Sequence, residues 1–386
     1  MMDAVKLAVI GAVLLLLGGA AVALGVLPAS DALAVADRVW PILLFVVAVT
    51  IVAELAASAG VFDVVAAWLA RLARGRTIVL WLAVVGLAVV VTAFLSLDTT
   101  AVLLTPVVIA VARANGLSPL PFAFTTVWLA NTGSLFLPVS NLTNLLGAHR
   151  IGAGGPAAFA ALMWPSAVVA VVATVLLLLV VHRRDLRGRY TPSPRPRVAD
   201  PVLLRMASVI VVVLLPLLVS GLAPWQPALA AAVALTIAHA WRNPRALGLR
   251  LLPWQLVVFA SGLFLAVGAL EAWGSAAVLR PVVGMGDGVV ELLRVAGAGL
   301  VGANAIDNLP AYLALESVAD SPARLGALLV GVNAGPLVTP WASLATLLWH
   351  ERLRADGIDL SWRRYMLRGI VAAPIIVGLA VLPLAL

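Results

Sequence analysis

Cysteine is missing from the 386 residues, which excludes disulfides, thiolate nucleophiles and cysteine metal sites. Lysine is almost missing, with Lys6 the only one, and charged residues make up just 11% of the chain, against about 25% in soluble domains. Tyrosine numbers three and histidine four. The histidines (His149, His182, His239, His350) stand singly at loops or span ends, a pattern of interfacial side chains rather than of a metal site. In place of the missing polar residues the chain is 63% hydrophobic, with a mean hydropathy of +1.12. That composition predicts a polytopic membrane protein in a lipid bilayer, with most of the twelve tryptophans near span ends as interface anchors.

The formal charge of +8 does not point to nucleic acid, because the arginines lie in short loops between apolar spans. The run from Lys6 to Leu27 is long enough to cross the hydrocarbon layer and reads as a retained first span rather than a cleaved signal.

Polar groups concentrate in Val91 to Asn144. This stretch is apolar overall but carries Asp98, Ser96, Thr99, Thr100, Asn131, Ser134, Ser140, Asn141 and Asn144, with Pro106 and Pro138. Such groups are costly in lipid and mark a cavity or a solute path. Residues 77–113 read as two apolar arms around a polar tip, a re-entrant hairpin, although two full spans turning at Asp98 fit as well. Residues 119–147 read as a helix broken near Asn131 to Asn141, where Pro138 lacks a donor and Gly133 weakens the helix.

The same plan returns in the second half. A hairpin is expected at about 289–318, with Asn304, Asp307 and Asn308 at its tip, and a broken helix at about 327–349. The polar segment 183–202 links a first half (1–182) to a second (203–386). Asn131-Thr-Gly-Ser-Leu-Phe-Leu-Pro138 aligns without gaps on Asn333-Ala-Gly-Pro-Leu-Val-Thr-Pro340, and Trp40, Phe45 and Gly60 have counterparts in Trp254, Phe259 and Gly274. Twenty of the 25 basic residues fall on one side of this layout, which predicts a cytoplasmic amino terminus and an external carboxyl terminus. The two halves then run oppositely through the bilayer. The expected fold is an all-α inverted-repeat secondary transporter with two re-entrant hairpins and two broken helices.

DTTAVLLTP at 98–106, NTGSLFLPVSNLTN at 131–144, NAIDNLP at 304–310 and GPLVTPWASLATLLWHERL at 335–353, followed by DLSWRRY at 359–365, resemble the ArsB-type arsenite efflux permeases of the ion transporter superfamily. The resemblance covers nearly the whole chain. It implies a scaffold domain and a transport domain with opposed hairpins, a homodimer, the bacterial inner membrane and a possible separate arsenite-stimulated ATPase. The superfamily also holds sodium/proton antiporters and divalent-anion or citrate carriers. Its sodium-coupled carboxylate carriers resemble this chain less at the tips, where they use Ser-Asn-Thr. Here the first tip reads Ser96-Leu-Asp-Thr-Thr100, and an acid at each tip would repel a dicarboxylate.

Arsenite and antimonite are small, uncharged hydrogen-bonding trihydroxides near neutral pH. The expected contacts for such an inorganic solute are Ser96, Thr99, Thr100, Asn131, Thr132, Ser134, Ser140, Asn141, Asn304, Asn308, Asn333, Thr339 and Ser343, with Asn144 and Thr346 nearby. Coupling to protons needs a group that titrates. Asp98 and Asp307 are the first candidates, Glu54 and Glu271 the second. The function expected is proton-exchanging arsenite/antimonite efflux, with a sodium/proton antiporter or, further off, a carboxylate permease as alternatives. No cofactor is called for. Gly284-Met-Gly-Asp287 matches the G-x-G-D string of intramembrane aspartyl proteases, but none of Tyr190, Tyr312 or Tyr365 precedes an aspartate. No serine elbow, zinc helix or phosphate loop occurs either, so the sequence does not read as an enzyme.

Overall fold

A computed structural model describes residues 2–151, 155–193 and 197–386. Arg195, one of the basic residues of the linker, lies outside them. The described chain is helical. The first half holds α1 (Met2–Ala23), α2 (Ala29–Ser58), α3 (Val61–Leu72), α4 (Thr77–Leu95), α5 (Leu97–Ala114), α6 (Leu120–Thr132), α7 (Leu142–Ile151) and α8 (Gly155–Val181). After the linker come α9 (Pro201–Leu217), α10 (Trp225–Arg242), α11 (Trp254–Ala272), α12 (Ser275–Val283), α13 (Val289–Ile306), α14 (Asn308–Glu316), α15 (Pro322–Ala334), α16 (Leu344–Ala355) and α17 (Trp362–Val381).

Two groups of helices form. In one, α1 packs along α11, and α2 packs on α9, α10 and α11. In the other, α4, α6 and α8 join α13, α15 and α17 around the chain breaks. Without a hydrophobic drive between helices in lipid, such contacts depend on close backbone approach. The sequence supplies glycine where it is needed. Gly11 and Gly262 face each other across α1 and α11, and a Cβ on Gly331 of α15 would run into the Ala296 carbonyl of α13.

The repeat is visible in the backbone. α2 ends at Gly60 (φ +83°) and α11 at Gly274 (φ +87°), and each left-handed glycine leads into a short helix, α3 or α12. These two helices lie outside the hairpins and broken helices expected from the sequence. α3 is amphipathic, burying Val61, Phe62, Ala66 and Ala70 while leaving Trp68 exposed. Its 12 residues are too few to span a bilayer, and the arginines behind it drew attention to charge instead.

Both tips fold back. After α4 the chain turns at Ser96 (φ +92°), and Thr92 lies 2.8 Å from Thr100 between hydroxyls. After α13 it turns at Asp307 (φ +131°), where Gly302 comes close to Ala311. Positive φ at a residue with a Cβ costs on the order of 1–3 kcal/mol and persists only where the surroundings hold it. The expected helix breaks fall at residues 133–141 and 335–343, where 3-10 turns and extended residues separate α6 from α7 and α15 from α16.

The described residues of the linker are tied to the helices beside them. Tyr190 donates to the Gly75 carbonyl through its backbone amide at 2.9 Å, and Ser193 donates to Asn115 Oδ1 at 2.9 Å. Asp200 caps α9 and accepts two bonds from Arg242 of α10. That guanidinium, with the Leu203 amide, holds the half-buried Asp200 carboxyl down to about 2, so the tie survives across physiological pH and loosens only as pH falls toward that value. Replacing Gly331 by alanine should destabilise the protein by about 1–3 kcal/mol, as overpacking of a tight contact does. The check is a lowered thermal midpoint of the detergent-solubilised protein relative to the native chain.

Candidate functional site

The hairpin tips and the broken helices meet in one cavity of about 450 Å³. Its walls differ in character. On one side Ile10 and Leu14 of α1, Phe45, Val46 and Val49 of α2, and Phe259 and Leu263 of α11 present an apolar surface relieved by Thr50. On the other side stand Ser96 and Asp98 from the first tip, Asp307 and Asn308 from the second, and Asn141 and Ser343 from the two breaks. No arginine, lysine or histidine lines this cavity among the described residues. A second chamber of about 250 Å³ shares Thr50, Asp98, Leu256, Leu344 and Leu347 with the first and extends to Glu54, Thr99, Arg250, Gln255 and Glu351.

The two acids are not equivalent. The strained residue of the second tip is Asp307 itself, and its counterpart by geometry in the first tip is Ser96, not Asp98. Asp307 caps α14, its Oδ1 accepting the Leu309 amide at 3.1 Å. Ser96 plays the same part more weakly, accepting the Thr99 amide at 3.4 Å. Asp98 lies two residues further on, in the first turn of α5, and its Oδ1 is buried with no partner in the protein. One carboxylate is spent on a helix end and the other is free for chemistry.

The remaining expected contacts divide sharply. Asn333 sits where the two breaks cross. Its Oδ1 accepts from Asn141 Nδ2 at 2.6 Å and Thr143 Oγ1 at 2.9 Å, and its Nδ2 donates to Asn144 Oδ1 at 2.6 Å. Asn144 in turn donates to the carbonyls of Ser134 and Leu137. Asn304 fastens the second hairpin to the second break, accepting from the Val338 and Thr339 amides and donating to the Gly335 carbonyl, while Thr339 Oγ1 donates to the Asn304 carbonyl at 2.8 Å. Thr100, Thr132, Ser134 and Ser140 each donate to a nearby backbone carbonyl. Asn131 donates to the Val127 carbonyl and leaves its Oδ1 buried without a partner. Apart from Asn141, none of these lines either chamber. Ser343 does, and its buried Oγ has no protein partner. Glu271 ends α11 outside both chambers.

Sequence reasoning passed over Thr50, which touches both chambers. The signal was present, because Thr50 and Glu54 are four residues apart on one face of the otherwise apolar stretch 39–57 of α2. The apolar wall gave no signal of its own, since Phe45 and Phe259 are ordinary residues of membrane spans.

Residues 2–348 match the family described as citrate transporter. The chain belongs to that family. Within it the resemblance is to arsenical pumps: 31% identity over 385 residues to the arsenical pump membrane protein of Escherichia coli (strain K12), covering 92% of this chain and 88% of the relative. The arsenical pump membrane protein of Yersinia enterocolitica is 30% identical over 377 residues, covering 90% and 86%. Among solved structures, the YdaH transporter of Alcanivorax borkumensis superposes with a TM-score of 0.60 at 15% identity, covering 90% of this chain and 86% of that one. The fold is thus that of a multi-span membrane transporter of the ArsB type, and the paired tips and breaks are its candidate transport site.

Structural and solute-facing polar residues should separate on substitution. Asn333→Ala leaves Asn141 Nδ2, Thr143 Oγ1 and Asn144 Oδ1 without this partner, at about 1–3 kcal/mol for each buried group left unpaired, and should lower the thermal midpoint sharply. Ser343→Ala removes a hydroxyl with no protein partner and should leave the midpoint within a degree or two while weakening solute binding, read by ligand protection in the same melts.

Proposed function

We propose that this transporter expels arsenite and antimonite, as uncharged trihydroxides, from a bacterial cell across the inner membrane in exchange for protons. The observation that carries the reading is the polar wall of the cavity, which offers carboxylate, amide and hydroxyl groups and no cation among the described residues. Such a wall suits a small neutral hydroxide able both to donate and to accept. A carboxylate anion would face Asp98 and Asp307 with no positive partner. The named relatives with the highest identity reported above are arsenical pumps, which supports the same solute.

Asp98 is the group assigned to carry the proton. Asp98 lines both chambers and has one carboxylate oxygen buried without a protein partner, so the residue can meet solute on one side and reach the Glu54 end on the other. Asp307 is assigned to shape the second tip and to set the field at Asp98. Proton release from Asp98 as solute binds, and its return as solute leaves, would make the two occupancies exclusive, as exchange requires. With the arginine-rich side cytoplasmic, the Glu54 end opens to the cell interior.

Everted membrane vesicles give the test. With an imposed proton gradient, native vesicles should accumulate antimonite, and Asp98→Asn should abolish uphill accumulation while still allowing downhill equilibration. Asp307→Asn should reduce the rate without uncoupling. Proton-driven accumulation that survives Asp98→Asn at the native level would end this assignment. Accumulation driven by a sodium gradient alone, with proton uptake on sodium addition, would favour the antiporter alternative, in which the two carboxylates bind sodium.

A further inference from the structure

The two walls of the cavity part at one end and are pinned together at the other. At the parted end the main cavity runs through Asp98 and Thr50 into the chamber that reaches Glu54, Arg250 and Glu351. Among the described residues no ion pair joins the walls there. At the opposite end Glu316, the last residue of α14, has a side chain only 4% exposed and is paired with Arg38 of α2. Arg150 of α7 donates to the Glu316 backbone carbonyl at 2.9 Å and places a guanidinium nitrogen 3.9 Å from its carboxylate. His149, Glu271 and Tyr312 are the other titratable groups around this end. Arg38 and Glu54 lie 16 residues apart on the same helix, about 24 Å of rise, so α2 touches both ends of the route.

The origin of the partners matters more than their number. A carboxylate removed from water is tolerated only while it is paired. α7 and α14 pack together on the polar wall, so Arg150 stays beside Glu316 wherever that wall goes. Arg38 belongs to α2 and the apolar wall. Movement of the second hairpin along α2 would therefore break only the Arg38 pair and would leave Glu316 still neutralised. An acid with one resident partner and one on the facing wall is built to let go.

We propose that the Arg38–Glu316 pair is a latch that seals this mouth while the Glu54 end is open, and that it opens once in each transport cycle. The inference rests on the transporter reading above but not on which solute is carried. It makes Arg38 and Glu316 positioning residues of the cycle, acting on access rather than on the solute.

The chain has no cysteine, so each introduced thiol is unique. Leu145 lines the cavity on α7, below Arg150. Leu145→Cys should react slowly with a charged, impermeant maleimide added from the Arg38 face. Adding Arg38→Gln should raise that rate about tenfold, because labelling follows the population of the unlatched state. A rate unchanged by Arg38→Gln overturns the proposal. In a second arm, Arg38→Cys/Glu316→Cys is bridged by a reducible bifunctional thiol reagent, and antimonite transport should fall at least about tenfold and return on reduction. Full-speed transport by the bridged protein would equally overturn it. The labelling arm needs no solute, so failure of the arsenite assignment leaves it standing, and Arg38→Gln keeps Arg150 beside Glu316 should the double cysteine protein fail to fold.

Discussion

In a hydrocarbon layer every backbone amide and carbonyl must find a partner inside the protein, and this constraint decides where the chain can break. Between α6 and α7, and between α15 and α16, helical bonds stop for several residues in the middle of the protein. Asparagines fill the gap. Asn144 takes two freed carbonyls of the first break, Asn304 takes two amides and a carbonyl of the second, and Asn333 clasps the two breaks to each other. The cavity is a by-product of that clasp, since it holds open two interrupted helices with Asn141 and Ser343 facing a shared space.

The same constraint explains why the two hairpin tips look alike and act differently. Each must cap a new helix directly after a sharp reversal, and each uses a short oxygen-bearing side chain in a strained conformation to do so. In the second tip that residue is an acid. In the first it is a serine, which leaves the nearby aspartate without a structural duty. The repeat is therefore symmetric in backbone and asymmetric in chemistry, the arrangement expected of a carrier in which only one half handles the coupled charge.

Much of this was legible in the sequence. The mid-chain polar cluster, Pro138 and Pro340, and the matched asparagine-glycine strings located both breaks because each conflicts with an uninterrupted membrane helix. Ser96, Asp98, Asn141, Asp307, Asn308 and Ser343 were named as candidates, and all line the main cavity. What could not be read was the allocation of each polar group. Asn304 and Asn333 resemble Asn308 as letters, and only three-dimensional neighbours show that Asn304 is spent on backbone groups and Asn333 on Asn141, Thr143 and Asn144. The offset of Asp98 from Asp307 escaped for a similar reason, since tip register depends on which residue adopts positive φ. Helices α3 and α12 were hidden because their amphipathic pattern is short and bordered by arginine and glycine.

The contrast between the cavity's two sides has a bearing on how such carriers diversify. Polar side chains of the cavity are concentrated on the hairpins and breaks, while the facing surface of Phe45, Val49, Phe259 and Leu263 is apolar. Exchanging a few polar letters could thus convert one vehicle to a different load without redesigning the track it runs on. A family whose name invokes an organic acid, and whose members include pumps for a metalloid, is what such a separation of chassis and freight would leave behind.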